Sequence, residues 1–198
     1  MTTHVPDRAA AKELLDATAI AKALTRISHE IVERNDDLAR VALVGIQTRG
    51  VPLAYRLRRL ILERTDVELP VGALDITFHR DDVHVRDGGR GPERRPVVRD
   101  TRIGFPIEAL TVVLVDDVLS TGRTIRAAID ALLEFGRPAR VQLAVLVDRG
   151  HRELPIRPDY VGKNLPTARS ERVQVELVEV DEVDRVLLVA DAQEGARG

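Results

Sequence analysis

Hydrophobic residues follow two spacings along this chain, and the two spacings alternate. Short apolar runs, rich in β-branched residues, predict buried parallel strands at Val41–Ile46, Val112–Val115 and Val141–Val147. Between these runs, apolar residues recur every three or four positions, which predicts amphipathic helices. Strands that alternate with helices predict an α/β fold, with a mostly parallel central sheet and helices on both faces.

The first predicted helix has a defined start and two distinct faces. Asp16 is a suitable N-cap, and the helix reaches about Arg34. The helical period turns one apolar stripe toward the core, formed by Ile20, Leu24, Ile27 and Ile31. The opposite face carries polar and basic residues, namely Lys22, Thr25, Arg26 and His29. A second helix starts at Gly50, and its apolar positions are Leu53, Leu57, Leu60 and Ile61.

Three further short strands and two irregular segments complete the chain. The strands are predicted at Val71–Phe78, Val173–Val178 and Val186–Val189. Residues from Met1 to about Ala11 predict a disordered tail. Residues from Arg80 to about Arg102 are rich in charge, glycine and proline, which predicts a flexible loop that serves as a lid over a site. The length suits a single domain over residues 1–198.

The segment that follows the Val112–Val115 run has the chemistry of a phosphate site. Asp116 and Asp117 end the predicted strand, and Ser120–Thr124 form a turn into a helix that reaches about Phe135. Backbone N–H groups at a helix N-terminus point outward with the positive end of the helix dipole, so they favour phosphate. Two carboxylates beside such a cradle suit ribose hydroxyls, with a divalent metal nearby. A merely structural turn is the alternative interpretation.

A second polar segment, Gln47–Gly50, directly follows the strand Val41–Ile46. Its backbone N–H groups and the fixed charge of Arg49 suit pyrophosphate oxygens, although a tight strand-to-helix turn is the alternative. Parallel strands end at one edge of a sheet, and ligands bind there. We therefore expect Thr48, the acidic pair and the start of the 80–102 loop to converge.

Composition narrows the function classes. The 198 residues carry a net charge of −2, so nucleic-acid binding would need a local basic patch. The chain has no cysteine, which excludes disulfides, thiolate catalysis and zinc–cysteine sites. Aromatic residues make up 3%, too few for a stacking platform along a single strand. The chain has neither an apolar signal core nor a stretch of about twenty apolar residues. We therefore expect a cytoplasmic protein with no membrane partner.

The run Val112–Thr124 resembles the 5-phosphoribosyl 1-pyrophosphate (PRPP) binding motif of type I phosphoribosyltransferases. The resemblance implies that Asp116 and Asp117 accept hydrogen bonds from the ribose hydroxyls, and that Thr121–Thr124 hold the 5′-phosphate. Mg²⁺ would bridge pyrophosphate and ribose oxygens, and the two carboxylates are its candidate protein ligands. The implied catalytic residues are Asp116, Asp117 and Arg49.

Longer strings are similar to the bifunctional pyrimidine operon attenuation regulators/uracil phosphoribosyltransferases, the PyrR family. These strings are Ala23–Glu30, Val44–Gly50, Asp75–Asp82, Gln142–Arg157 and Asp159–Thr167. The resemblance covers roughly residues 14 to 185. It implies a type I phosphoribosyltransferase fold with a small hood over the base, formed by about residues 150–172.

The resemblance also implies two activities and a set of partners. Family members make UMP from uracil and PRPP, and they bind pyr messenger RNA, at a hairpin or bulge, when charged with UMP or UTP. Purine-specific relatives often carry a carboxylate at the position of Ser120, so its absence favours a pyrimidine base. The family implies a homodimer or larger assembly. No helix-turn-helix precedes the domain, so no DNA partner is expected.

Two residue sets follow from the family match. The implied substrate-binding residues are Thr48, Arg49, Gly50, Arg80, Asp116, Asp117, Ser120, Thr121, Gly122, Arg123, Thr124 and Val161. Within this set, Val161 would read the uracil edge with backbone groups. The implied RNA-binding residues are Thr25, Arg26, His29, His151, Arg152, Arg157, Lys163 and Thr167. Periodicity alone favours an ordinary solvated helix face, and both a purely metabolic enzyme and a non-catalytic nucleotide sensor stay open as alternatives.

Overall fold

The computed structural model describes residues 11–77 and 101–190. In chain order the strands are β1 (Lys12–Leu15), β2 (Val41–Ile46), β3 (Val71–Leu74), β4 (Thr111–Leu119), β5 (Arg140–Asp148), β6 (Tyr160–Asn164), β7 (Glu171–Glu176) and β8 (Arg185–Ala190). The helices are α1 (Ala17–Arg34), α2 (Gly50–Thr65), α3 (Arg123–Leu133) and the single turn α4 (Val178–Asp181), and a 3-10 turn spans Leu38–Arg40. In the described part of the chain, no helix combines the length and the apolar character that a membrane crossing requires.

Five parallel strands form the main sheet, in the spatial order β3-β2-β4-β5-β6. Successive residues of a strand point to opposite faces. Leu43 and Val113 therefore pack in the core beneath α1 and α2, whereas Val44 and Val112 pack in the core beneath α3. The predicted α/β class, with helices on both faces of a parallel sheet, is confirmed.

The predicted first helix has the expected anchoring. Asp16 Oδ1 accepts a hydrogen bond from the Ala19 N–H at 2.7 Å, which satisfies one of the free donors of the first turn. The apolar stripe of α1 is fully buried, so the periodicity assigned its core face correctly. The exposed face keeps Thr25 and Arg26 at the surface.

A second, antiparallel sheet has three strands in the order β1-β8-β7, from near both ends of the described chain. The resemblance assigns the hood to residues 150–172, but only the last two of these belong to this small sheet. Residues 160–164 are instead β6, the edge strand of the main sheet. Gly162 permits this pairing, because a Cβ atom there would lie 2.4 Å from the Leu146 carbonyl oxygen.

Buried polar contacts fix β6 against the end of α1. Tyr160 is fully buried, and its hydroxyl donates to Gln142 Oε1 at 3.0 Å. Asn35 Nδ2 lies 3.2 Å from the Tyr160 hydroxyl and 3.3 Å from Gln142 Oε1. The Arg34 guanidinium lies 5.2 Å from the centre of the Tyr160 ring. Because polar side chains anchor this strand, the hydrophobic pattern did not predict it.

The third strand is shorter than its alternating pattern predicts. It ends at Leu74 rather than Phe78. Asp75 Oδ1 accepts hydrogen bonds from the Thr77 N–H at 2.8 Å and from the Thr77 hydroxyl at 2.5 Å, which closes a local turn. Phe78 itself lies outside the described residues.

Other predicted boundaries shift by a few residues. The fourth strand runs through the acidic pair to Leu119, because the chain continues to pair with β5. The third helix ends at Leu133 rather than Phe135. The last two strands lie close to their predicted positions, and β1 had no sequence prediction. The predicted tail and the 80–102 loop lie outside the described residues, except for residue 11 and residues 101–102.

Ion pairs hold the turn between β7 and β8 against α2. Arg56 binds both carboxylate oxygens of Glu179, at 2.8 and 2.6 Å, and both oxygens of Asp184, at 2.8 and 2.7 Å. These hydrogen bonds from Arg56 lower the pKa of Glu179 and the pKa of Asp184. Carboxylates with a lowered pKa stabilise the fold above about pH 4, and the contribution is lost as the pH falls through the folded-state pKa.

Asp184→Asn tests this connection. In the wild type, Asp184 Oδ1 accepts from the Val178 N–H at 2.8 Å. The variant keeps an oxygen that can accept this bond, but it removes the charge that faces Arg56. We expect the free energy of unfolding at pH 7 to fall by about 1.5–3 kcal/mol, as for a lost hydrogen bond to a charged group. The difference should shrink at a pH below the lowered folded-state pKa of Asp184, where the wild-type carboxyl group is neutral as well.

Urea titrations at both pH values measure this effect. Asp130→Asn is the matched control, since the Arg126–Asp130 pair is exposed, with 57% of each side chain accessible, and should contribute little. Equal unfolding free energies for the two variants at pH 7 would contradict the prediction.

Candidate functional site

Three loops meet at the carboxyl edge of the main sheet, after β2, β4 and β5. Two glycines bring the first loop close to β4. A Cβ atom at Gly50 would lie 2.2 Å from the Val115 carbonyl oxygen and 3.4 Å from the Asp116 Cα, and one at Gly45 would lie 2.4 Å from the Val51 Cα. The first loop, residues 47–49, therefore lies beside the acidic pair. Its Gln47–Thr48 peptide bond is cis.

The acidic pair is held by its own backbone. Asp116 Oδ1 accepts from the Asp117 N–H at 2.9 Å, and Asp117 Oδ1 accepts from the Val118 N–H at 2.9 Å. Asp116 is only 5% exposed. Burial raises the pKa of Asp117, and the positive charge of Arg49 opposes that rise. Asp116 is buried and Asp117 is half-buried, so the adjacent carboxylates are costly to ionise without a cation or hydroxyl donors, and the pair is suited to bind either.

The turn after β4 has the geometry of a phosphate cradle. Gly122 is the N-cap of α3 and has φ 92°, in the left-handed region that favours glycine. The Thr121 carbonyl accepts from the backbone N–H groups of residues 153 and 154, each at 3.0 Å. The Ser120 carbonyl accepts from Arg152 Nη1 at 2.8 Å. The carbonyl groups of the turn are thus engaged by the protein, and the N-terminal end of α3 offers N–H donors to an anion.

Arg49 is bound to a carboxylate that sequence analysis missed. Its Nε and Nη2 donate to the two carboxylate oxygens of Asp181, at 3.0 and 2.7 Å. The hydrogen bond to Asp181 raises the pKa of Arg49, and the charges of Asp117 and Glu176 act in the same direction. Asp181 lies in α4, far from Arg49 along the chain, so only the folded structure shows the pairing.

Two predicted substrate-binding residues lie outside the loops after β2 and β4. Arg80 lies outside the described residues. Val161 pairs with Val145 in the main sheet, and its carbonyl oxygen accepts from Arg26 Nη2 at 3.1 Å. The Gly162 carbonyl also accepts from Arg26. Val161 therefore lies in β6, the edge strand of the main sheet, and Arg26 binds its carbonyl. Its role in reading the uracil edge stays a prediction.

A cavity of about 510 Å³ opens at the ends of β5 and β6. Its lining residues are Asp148, Arg149, Gly150, His151, Asn164, Pro166 and Thr167. Arg149 Nη1 donates to the Glu171 carbonyl at 2.6 Å, but Arg149 Nε is buried and has no hydrogen-bond partner among the described residues. A buried donor without a partner costs about 1–3 kcal/mol, so this nitrogen indicates a place for an accepting ligand or water.

Four of the predicted RNA-binding residues lie on α1 and β6. Thr25, Arg26 and His29 share α1, and the bonds from Arg26 to the β6 backbone link this helix to exposed Lys163. Sequence analysis missed Arg64, an exposed residue of α2 whose Nη1 lies 3.2 Å from His29 Nε2. These five residues define what we call the α1–β6 face.

The other predicted RNA-binding residues have different surroundings. His151 Nε2 lies 2.7 Å from the Thr167 carbonyl oxygen, at the cavity described above, and Arg157 is exposed. Arg152 donates to the Asp148 carboxylate at 2.5 Å, to the Ile156 carbonyl at 2.9 Å and to the turn after β4. Arg152 therefore connects the end of β5 to the turn after β4 (residues 120–122, below called the phosphate turn). The sequence pattern did not predict these contacts.

A metal here would depend on the substrate for most of its ligands. Across residues 11–77 and 101–190, no cluster of three or more His, Cys, Asp or Glu side chains is arranged to hold a metal ion. Mg²⁺ commonly uses one or two protein carboxylates and completes its shell with substrate phosphates and water. Asp116 and Asp117 fit that role.

Comparisons with known proteins agree with this geometry. The family model described as "Phosphoribosyl transferase domain" matches residues 10–182. The chain is 61% identical over 179 residues to a protein of Roseiflexus sp. named "Bifunctional protein PyrR", which covers 90% of this chain and 94% of the relative. A protein of Thermus thermophilus with the same name is 58% identical and covers 89% of this chain and 94% of the relative.

Solved structures show the same fold at low sequence identity. A Trypanosoma cruzi hypoxanthine phosphoribosyltransferase in complex with IMP matches with a TM-score of 0.68 at 18% identity, and covers 96% of this chain and 95% of that one. A Leishmania tarentolae HGPRT-ase in complex with GMP matches with a TM-score of 0.64 at 17% identity, and covers 93% of this chain and 99% of that one. These likenesses support the fold alone.

Gly50→Ala tests the close approach of the first loop to β4. The added Cβ would lie 2.2 Å from a backbone oxygen, so α2 or β4 must shift. We expect a loss of about 1–3 kcal/mol in the free energy of unfolding, as for overpacking in a core. Gly104→Ala is the control, because a Cβ there meets no atom within 4 Å. Denaturant titration measures both, and equal stabilities would contradict the prediction.

Proposed function

The chain belongs to the phosphoribosyltransferase family and, within it, to the bifunctional PyrR proteins, and from that premise we propose that it has two activities. The first converts uracil and PRPP into UMP and pyrophosphate. The second binds pyr messenger RNA when the protein holds a uridine nucleotide. The observation that carries the first activity is the juxtaposition of Arg49, the buried carboxylate pair and the N-terminus of α3 at one sheet edge.

The proposed reaction joins uracil N1 to the anomeric carbon of PRPP. The bond from that carbon to the pyrophosphate oxygen breaks, and the N1 proton is released. Asp116 and Asp117 would accept hydrogen bonds from the ribose hydroxyls, while the N–H groups at the start of α3 hold the 5′-phosphate. Arg49 would stabilise charge on the departing pyrophosphate. Mg²⁺, bound with PRPP and the acidic pair, would further neutralise the leaving group.

The cavity at the ends of β5 and β6 is our proposed uracil site. It lies on the β5 side of the phosphate turn, at the edge where ligands of parallel sheets bind. The unpartnered Nε of Arg149 would donate to a uracil carbonyl oxygen. The Asn164 amide offers both a donor and an acceptor, which complements a carbonyl and the adjacent ring N–H of uracil. Val161 lies in the same strand as Asn164, and its predicted role in reading the uracil edge stands beside this site.

The α1–β6 face supports the regulatory activity. Lys163 and Arg64 are exposed cations suited to RNA phosphates, and Thr25 and His29 can hydrogen-bond unstacked bases of a hairpin loop or bulge. Lys163 and Asn164 are adjacent in β6, so one strand joins this face to the proposed uracil site. Because messenger RNA and PRPP are cytoplasmic molecules, we propose that the protein acts in the cytoplasm. A homodimer or larger assembly stays a prediction from the family.

A purely metabolic phosphoribosyltransferase is the second candidate. One observation favours it: Arg26 and Arg152, two cations of the predicted RNA set, donate to acceptors within the protein. On this account the basic residues have structural roles, and the protein would bind pyr RNA no better than any other RNA.

Pyrophosphate release from PRPP and Mg²⁺, with a panel of free bases, tests the enzymatic proposal. We expect release with uracil and not with hypoxanthine, guanine or adenine, because the site lacks a carboxylate at Ser120. Release with a purine alone would overturn the base assignment. No release with any base would contradict the enzymatic proposal.

Asp117→Asn should separate the two activities. Burial raises the pKa of Asp117, so its ionised form lowers stability at neutral pH, and the uncharged amide should leave the unfolding free energy equal or higher. UMP formation should fall at least about 100-fold, as when a charge-stabilising group is removed from a site. At saturating UMP, most of the RNA affinity should remain, because the α1–β6 face lies elsewhere. Initial rates, thermal unfolding and RNA titration check this, and equal loss of both activities in a folded variant would contradict it.

Lys163→Ala tests the RNA proposal. Loss of one phosphate contact should weaken binding of a pyr leader hairpin, and it should reduce the slope of log affinity against log salt by about 1. Arg126→Ala is the control, because this exposed arginine lies in α3, on the opposite face of the sheet. Fluorescence titrations at several salt concentrations provide the measurement. Identical affinity and slope for wild type and Lys163→Ala would favour the purely metabolic candidate.

A further inference from the structure

We propose that Asp181 is a positioning residue for Arg49, and that the turn between β7 and β8 thereby controls the binding of PRPP. This inference rests on the proposed function, because it assigns Asp181 a part in binding that substrate. Asp181 does not touch the substrate in this account. It acts through the guanidinium group of Arg49.

The contact between the two side chains is firm on both sides. Arg49 uses two of its five N–H donors on Asp181, at 3.0 and 2.7 Å, which leaves three donors that Asp181 does not occupy. The carboxylate is itself held, because Asp181 Oδ2 accepts from the Leu177 N–H at 2.9 Å. Only 30% of the Arg49 side chain and 20% of the Asp181 side chain are exposed, so solvent competes weakly for the pair.

Arg49 lies between two sources of negative charge. Its neighbour Gly50 is pressed against Val115 and Asp116, and the charge of Asp117 acts on Arg49. Without Asp181, the guanidinium would be drawn toward Asp117 and would occupy the carboxylates that the ribose hydroxyls need. The bidentate pair with Asp181 therefore keeps Arg49 available to pyrophosphate and keeps the acidic pair available to ribose.

The position of Asp181 depends on charge more than on hydrophobic burial, since Leu177 is the one buried side chain among residues 177–184. Three valines of its turn, Val178, Val180 and Val183, are 54%, 43% and 37% exposed. The turn is held instead by Arg56, which binds carboxylates on either side of Asp181. Arg49 is the N-cap of α2 and Arg56 lies in its second turn, so the helix that follows the pyrophosphate loop also anchors the turn between β7 and β8.

Calorimetric titration with PRPP and Mg²⁺, together with initial rates, tests the inference on the full chain. We expect Asp181→Asn and Asp181→Ala to raise the Kd and the KM for PRPP by about tenfold, the effect of losing one charged hydrogen-bond pair. The KM for uracil should stay unchanged. Glu179→Gln is the control from the same turn, because its partner is Arg56, and it should lower thermal stability without changing the Kd for PRPP.

A double-mutant cycle shows whether Asp181 acts through Arg49. If it does, Arg49→Ala combined with Asp181→Ala should bind PRPP no more weakly than Arg49→Ala alone. Additive losses would overturn the inference, as would an unchanged or tighter Kd in Asp181→Ala, since tighter binding would make Asp181 a competitor of pyrophosphate. If Glu179→Gln raised the Kd for PRPP as much as Asp181→Ala does, the effect would come from the folding of the turn, and the positioning role of Asp181 would be refuted.

The outcome is separable from a failure of the proposed function. A wild type that makes UMP, with Asp181 variants that bind PRPP normally, refutes only the positioning role. A wild type that does not bind PRPP in the calorimeter refutes both. If the wild type binds PRPP but transfers its phosphoribosyl group to no base, the proposed enzymatic activity is refuted. The Kd values for PRPP then decide the role of Asp181.

Discussion

The ion pairs between α2 and the turn after β7 connect the two sheets at the candidate site. Arg49, the N-cap of α2, binds Asp181, and Arg56, in the second turn of that helix, binds Glu179 and Asp184. The place of α2 is in turn fixed by glycines that allow it to touch β4. Through this chain of contacts, the small sheet is held beside the acidic pair, and the site draws on residues from both sheets.

Elements and motifs made of contiguous residues were predicted from the sequence, whereas contacts between residues far apart in the chain were not. Apolar spacing predicted the parallel sheet and its helices, since each strand and helix carries its own period. The acidic pair and the turn at Gly122 were also predicted, because they are contiguous. The partner of Arg49 lies more than a hundred residues away, and β6 is anchored by the polar contacts of Tyr160, so neither has a periodic signal. The contacts of Val161 and Arg152 within the protein were not predicted, because they involve backbone carbonyls, which sequence patterns do not display.

The proposed substrate site and the proposed RNA-binding surface are different, but both use the segment after β5 and strand β6. In the segment after β5, Arg152 donates to the Ser120 carbonyl and the N–H groups of residues 153 and 154 donate to the Thr121 carbonyl. The same segment carries His151, which contacts Thr167. Strand β6 places Lys163 beside Asn164, which lines the proposed uracil site. A nucleotide that orders these two elements would change the residues proposed to meet RNA, because they are parts of the same strand and loop. Coupling of this kind is reciprocal, so RNA would also favour the nucleotide-bound state.

The most direct test of this account is the affinity of the wild-type protein for a fluorescent pyr leader hairpin, measured with and without saturating UMP at one moderate salt concentration. The account predicts that UMP tightens binding by about tenfold, within the usual range for coupled sites, and that a scrambled hairpin binds weakly in both conditions. Equal affinity with and without UMP, or equal affinity for the scrambled hairpin, would contradict the claim that one fold joins the two activities.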